Sequence, residues 1–183
     1  LKANNLSFIK DSQKRVSYAE KWEDIENYFG EDFDNFLSHL RTILVKQKAT
    51  VSLLKEFEDN IYNPKVYDRN SKTYTKIAPL LHKGEDTFTF IIRYKKHYEF
   101  LFEEEHKTPN GEYELYNLLQ VMRKGFEADL WIAPLLRYYD KFKNEQLIDF
   151  TKALENKFAH DWITGFYPTH RIERVNAIIQ AID

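Results

Sequence analysis

Hydrophobic positions recur at helical spacing along most of the chain. In "SYAEKWEDIENYFG", residues 17–30, Trp22, Ile25, Tyr28 and Phe29 fall on one helical face. Ser17 followed by Glu20 has the spacing of a capping box, and Gly30 stands where a helix commonly stops. The next run, "EDFDNFLSHLRTILVKQK", gathers Phe33, Phe36, Leu37, Leu40, Ile43 and Leu44 on one side. Thr50 is positioned to cap "VSLLKEFEDNIY", where Leu53, Leu54, Phe57 and Ile61 repeat the pattern. Residues 63–76, "NPKVYDRNSKTYTK", have no period and carry turn chemistry. They predict a surface loop that leads into a short helix near 73–82.

From Asp86 to Glu105 two periods compete. "TFTFII" alternates as a strand would, but the whole run is too long and too charged for one, so helix is expected. On a helical wheel Phe88, Phe90, Ile91, Ile92, Tyr94, Tyr98, Leu101 and Phe102 cover about half the circumference, the mark of a largely buried helix. Arg93, Lys96 and His97 are expected to face outward. Lys95 and Glu99 fall inside the apolar arc one turn apart, where they can neutralise each other. "TPNGE" reads as a turn, and helices follow over 112–124, 127–142 and 144–164. Gly165 and Pro168 break the last of these, and Thr169 is placed to cap a final helix. The expected fold is all-α, an irregular bundle of roughly eight helices in one domain, 1–183, with an aromatic-rich core.

Composition supports this and excludes several chemistries. Aromatic residues make up 16% of the 183 residues, with 14 Phe and 12 Tyr, while Gly and Pro number only 5 each. Few breakers and many bulky rings favour long helices packed through aromatic contacts. The absence of cysteine removes disulfides, zinc–thiolate sites and thiol nucleophiles, and fits a cytoplasmic location. No apolar run approaches the roughly 20 residues needed to cross a bilayer, and "LKANNLSFIK" is no signal peptide, so no membrane partner is expected. A net charge of −2 leaves room only for a local basic face, not a globally basic nucleic-acid binder. The chain begins at Leu1 and stops after the apolar "VNAIIQAI", which suggests a middle part of a longer multidomain protein, with its flanking domains as partners.

Three stretches could carry chemistry. "NKFAHDWITGFYPTHRIERV", residues 156–175, contains His160 beside Asp161, and a His-Asp doublet on a helix can hold a catalytic metal. Earlier histidines exist (His39, His82, His97, His106), but Asp183 is the only later aspartate to complete such a shell. Neighbours on a helix diverge by about 100°. Asp161 lies near the stripe of Leu147, Phe150, Leu154 and Phe158, and His160 points away from it. Spacing therefore favours ordinary helix-end and surface roles over a metal site. In the same stretch Arg171 and Arg174 sit one turn apart near a helix start, free to pair with Glu173 or Glu155 or to meet phosphate. "RYKKHYEF", residues 93–100, interleaves basic and aromatic residues as nucleic-acid surfaces do, which makes Arg93 and Lys96 further candidates for contact. Trp22, Trp131 and Trp162 are expected in the core. No Gly-rich phosphate loop, Ser-centred elbow or distinctive carboxylate pair occurs, so no cofactor and no catalytic residue is expected.

"KWEDIENYFGEDFDNFLSHLRTI", residues 21–43, and "LWIAPLLRYYDKFKNEQLIDFTKALENKFAHDWITGFYPTHRIERVNAII", residues 130–179, together resemble the helical middle region of GmrSD-type anti-phage restriction proteins. The landmarks are a Trp-containing helix, a "Pll" helix and a long helix that breaks into one more. The resemblance implies a non-catalytic connector between a nucleotide-hydrolysing ParB/sulfiredoxin-like module, with its Asp-Gly-Gln-Gln-Arg signature, and a His-Asn-His-type nuclease. Neither signature occurs in these residues, so no catalytic residue is carried onto any position, and DNA would be met through the parent protein. Relatives often have basic residues where His160 and Asp161 stand here. The alternatives from the residues alone are a nucleic-acid-binding module using Arg93, Lys96, Arg171 and Arg174, and a metal-dependent phosphohydrolase at His160–Asp161.

Overall fold

The computed structural model describes residues 1–104, 106, 113–165 and 167–183. A short helix α1 (Lys2–Leu6) precedes α2 (Ser12–Phe29). Asp11 caps α2, accepting the Gln13 and Lys14 amides at 2.8 and 3.0 Å. The capping box expected at Ser17 and Glu20 therefore lies inside the helix, because a better cap stands upstream. Gly30, at φ +53°, ends α2 as expected, and a 3₁₀ turn (Gly30–Asp32) leads into α3 (Phe33–Val45). Phe36, Leu37, Leu40 and Ile43 of α3 are buried.

Helix α4 (Leu53–Glu56) passes directly into a π-helical turn, Phe57–Tyr62. Thr50 does not cap it; the flanking residue is Ser52, without a side-chain cap, and the Thr50 amide turns inward to Glu56. The loop expected over 63–76 is instead a β-hairpin of β1 (Lys65–Asp68) and β2 (Thr73–Lys76), and the short helix expected near 73–82 is not formed. Both faces of this hairpin meet solvent. Its sequence consequently lacks the apolar–polar alternation by which a half-buried strand is recognised.

Helix α5 (Glu85–Glu103) resolves the ambiguous segment in favour of helix. The chain divides into two compact units. The first comprises Leu1–Val45 and Ala49–Arg93, and the second Lys46–Lys48 and Tyr94–Asp183, so α5 supplies its first half to one unit and its second half to the other.

Aromatic rings organise the first unit. Trp22 meets Phe33 and Phe88 edge-on, Tyr18 stacks on Phe88, and Phe29 stacks on Phe36 with ring centroids 4.1 Å apart. The same unit contains a buried hydrogen-bonded cluster. The buried Asn5 amide nitrogen donates to the Leu1 carbonyl and the Tyr62 hydroxyl, and its oxygen accepts the Gly84 amide at 3.0 Å. The Thr87 hydroxyl lies 3.1 Å from Tyr62 and donates to the His82 carbonyl.

In the second unit, α7 (Ile132–Phe142) packs against both α8 (Leu147–Ile163) and α9 (Pro168–Ile182), and α6 (Glu114–Gly125) packs against α8. Tyr138 stacks on Phe150 at 3.9 Å, Phe100 stacks on Tyr139, and Phe102 meets the buried Trp131 edge-on. Helix α9 starts at Pro168, whose missing N–H suits a first helical position, and no side chain caps it, Thr169 included. Trp162 is not in the core: it is 53% exposed, one position past the inward-facing Asp161 on a helix whose neighbours diverge. The turn expected at "TPNGE" lies outside the described residues. Among the described residues the fold is all-α with one hairpin, its helical cores rich in aromatic rings, and no described helix is long and apolar enough to cross a membrane.

Candidate functional site

His160 and Asp161 separate as their spacing predicts. His160 is exposed at the surface, and Asp161 is 3% exposed on the packed side of α8. The Asp161 carboxylate is engaged by cations: Lys157 one turn earlier at 2.6 Å, and Arg174 from α9. His160 Nδ1 stands 3.6 Å from the same oxygen. Burial alone would raise the Asp161 pKa, but Lys157 and Arg174 outweigh it and hold the carboxyl below its usual value. Among the described residues no three His, Asp or Glu side chains converge on a possible metal position. The arrangement is a cross-helix clamp between α8 and α9.

The cations nominated from sequence have diverse surroundings. Arg174 is held by Asp161, and His170 pairs with Glu173 at 3.1 Å. Arg171, half-buried, borders a small apolar pocket lined by Phe126, Leu130, Phe158 and Trp162. Arg93 belongs to the first unit, where its guanidinium lies over the Phe90 ring at 5.6 Å, beside an open groove lined by Leu80, His82 and Asp86. Lys96 is exposed on the part of α5 in the second unit. Lys95 and Glu99 pair within α5 as expected.

His97 corrects the helical-wheel reading, which sent it outward. It is buried, with its ring edge-on to Tyr94 and Tyr139, and its Nε2 lies 2.9 Å from Asp140 Oδ1. Lys143 Nζ approaches the same nitrogen at 3.4 Å. Asp140 Oδ2 accepts the Tyr94 hydroxyl at 3.0 Å and Arg137 Nη1 at 3.1 Å. Arg137 also grips Asp183 at 2.6 Å, and Asp183 is paired with Lys46. Burial pushes the Tyr94 hydroxyl well above its ordinary pKa. Burial works against ionisation of Asp183, yet Lys46 and Arg137 prevail and lower its pKa.

This cluster contains the residue types of an acid–base site. His97 Nε2 faces Asp140, and the ring lies edge-on to two tyrosines. The cluster braces α5 to α7, and α7 to the last residue of the chain. Sequence reading missed it because Asp140 sits in an apolar helix without an obvious partner. The available signal was the pair of i, i+3 steps, Tyr94–His97 and Arg137–Asp140.

A second brace lies in the first unit. Arg41 and Glu56 are 3% and 1% exposed in their side chains, with Arg41 Nη2 2.6 Å and Nε 2.9 Å from Glu56 Oε2. Asn60 donates to the same oxygen, while Oε1 accepts the Thr50 and Val51 amides. Burial opposes the charge on Glu56, but these hydrogen bonds overcome it and its pKa falls. The ion pair ties α3 to the start of the π-helical turn.

Glu56, His97, Arg137, Asp140 and the hairpin all fall within residues 42–158, which match a family of unknown function, DUF7834. The chain belongs to that family. The DUF7834 match ends before His160, Asp161, Arg171 and Arg174, so both the metal candidates and the α9 cations lie beyond it. No curated protein and no solved structure matches the chain.

Proposed function

We propose that this DUF7834 chain is a non-catalytic connector domain of a restriction-like phage-defence protein, coupling a nucleotide-hydrolysing module to a nuclease module in the cytoplasm. The reading rests on the resemblance of residues 21–43 and 130–179 to the middle region of GmrSD-type proteins. The structural observation that supports it most is the disposition of buried charge. Arg41–Glu56, His97–Asp140–Arg137 and Asp161–Arg174 each join one element to another, with their polar atoms directed at one another. Such side chains serve as braces, and breaking one leaves an uncompensated buried charge. Because α5 contributes to both units, it is one element through which a nucleotide-driven movement would pass.

Reading the coding frame on both sides of these residues is the first test. An upstream Asp-Gly-Gln-Gln-Arg stretch is expected, and a frame that begins near Leu1 and ends near Asp183 refutes the connector. In the whole protein, nucleotide should then alter amide exchange along α5. A profile indifferent to nucleotide would sink the coupling.

A further inference from the structure

The hairpin has no structural reason to look as it does. All eight strand residues are exposed, with Val66 at 53% and Tyr74 at 70%. An isolated two-stranded hairpin is marginal in water, and one with no core beneath it gains little from burial. What holds it is local. Its base is closed by the Ile77 amide on the Pro64 carbonyl, and Leu80 donates to Ile61 just beyond. The turn is organised by Asp68, which accepts the Asn70 amide and the Ser71 hydroxyl.

The register places Lys65 opposite Lys76 and Tyr67 opposite Tyr74. Cross-strand partners share a face, and so do residues two apart along a strand. One face therefore presents two lysines beside two tyrosines, whose ring centroids lie 5.0 Å apart. Like charges directly opposite one another destabilise a sheet. Arg69 and Lys72 add positive charge at the tip, and none of these four cations has an ion-pair partner among the described residues. Asp68 is the only acidic residue of the hairpin, and its carboxylate is occupied within the turn. A strongly basic projection thus stands on a chain whose net charge is −2.

We infer that this hairpin is a docking surface for single-stranded nucleic acid, with Tyr67 and Tyr74 stacking on unpaired bases and Lys65, Lys76, Arg69 and Lys72 contacting the phosphates. An anion between Lys65 and Lys76 converts their repulsion into a favourable arrangement. Exposed rings flanked by cations are the combination by which proteins hold unpaired strands, since every base offers a π-face. An acidic protein surface would satisfy the lysines but leaves the ring pair in water without a role. The inference stands on the hairpin alone and does not depend on the connector reading.

The test is fluorescence anisotropy of the protein with a labelled oligothymidylate, titrated across salt concentrations, with the matching duplex and a poly-glutamate peptide as competitors. The oligothymidylate should bind, and the peptide should compete poorly. Lys65→Gln/Lys76→Gln should weaken binding and flatten the log–log salt slope by about 1.4, as two lost contacts to a single strand require. Tyr67→Ala and Tyr74→Ala should each weaken binding by about 5- to 150-fold. Because Lys65→Gln/Lys76→Gln removes a repulsion and touches no core, its thermal midpoint should not fall, which separates lost contact from lost structure. No binding at low salt, affinity unmoved by these variants, or poly-glutamate binding as tightly as the oligonucleotide would each overturn the proposal. Preference for the duplex with no effect of the tyrosine variants would overturn the stacking role.

Discussion

Two stretches of this chain mix basic and aromatic residues, and the structure uses them in opposite ways. "RYKKHYEF" on α5 has the composition of a nucleic-acid surface, yet Tyr94 is fully buried and His97 nearly so, both directed at Asp140. "KVYDRNSKTYTK" has the look of a loop, yet it folds into a hairpin whose rings and cations all face solvent. In the first, each charge that turns inward meets an opposite charge. In the second, like charges stand opposite each other. Composition states which groups are available; only the element that carries them decides whether they bind the protein itself or something else.

The largest effects should come from the braced side of that comparison. Asp140→Ala removes the acceptor of both His97 and Tyr94 and one of the two carboxylates that hold Arg137, and should cost about 3–5 kcal/mol by urea denaturation. A loss below about 1 kcal/mol would mean the cluster is not a brace. Glu56→Gln keeps an acceptor for the Thr50 and Val51 amides but removes the charge facing Arg41, and should cost about 1.5–3 kcal/mol in the same assay.

Acid should act on the same braces. Glu56, Asp161 and Asp183 have pKa values lowered by folding, so the folded chain binds fewer protons than the unfolded chain as they titrate. Their contribution is complete above the unfolded carboxylate range, about pH 4–4.5, and is lost as pH falls through the lower folded values. Melting temperatures should therefore fall steeply below about pH 4.5. Asp161→Asn, read as a difference from the parent, should flatten that fall. An acid profile identical in the two proteins would remove Asp161 from the account.

The hairpin should respond least in stability. Lys76→Glu replaces a repulsive cross-strand pair with an attractive one, and should stabilise by about 0.2–1 kcal/mol at most. A loss of stability would show that Lys76 already has a favourable partner.

The fold class was legible because period 3.6 persists through α2, α3, α5 and α8, and because aromatic positions such as Trp22, Phe88 and Trp131 are truly interior. The helix at 85–103 was legible against its strand-like opening because length and charge outweighed six residues of alternation. Capping was read poorly. Asp11 lies outside the apolar pattern that drew attention to Ser17, and Pro168 starts α9 without needing Thr169. The hairpin was illegible for a physical reason: strands buried on neither face carry no hydrophobic period. His97 was misread because a wheel ranks residues by apolarity, and a histidine inside the arc counts as polar until its partner on another helix is known. Of the nominated residues, Asp161 and Arg174 were paired with each other by the fold, a contact between helices that spacing along one helix cannot reveal.

The most direct measurement sets the two basic–aromatic stretches side by side. Labelled oligothymidylate is titrated with the unaltered protein, with Arg93→Ala/Lys96→Ala and with Lys65→Gln/Lys76→Gln. The account predicts that the α5 variant binds as the parent does and that the hairpin variant loses affinity and salt dependence. Loss on the α5 variant with the hairpin variant unaffected would contradict it, and would return the nucleic-acid surface to the stretch that composition alone selects.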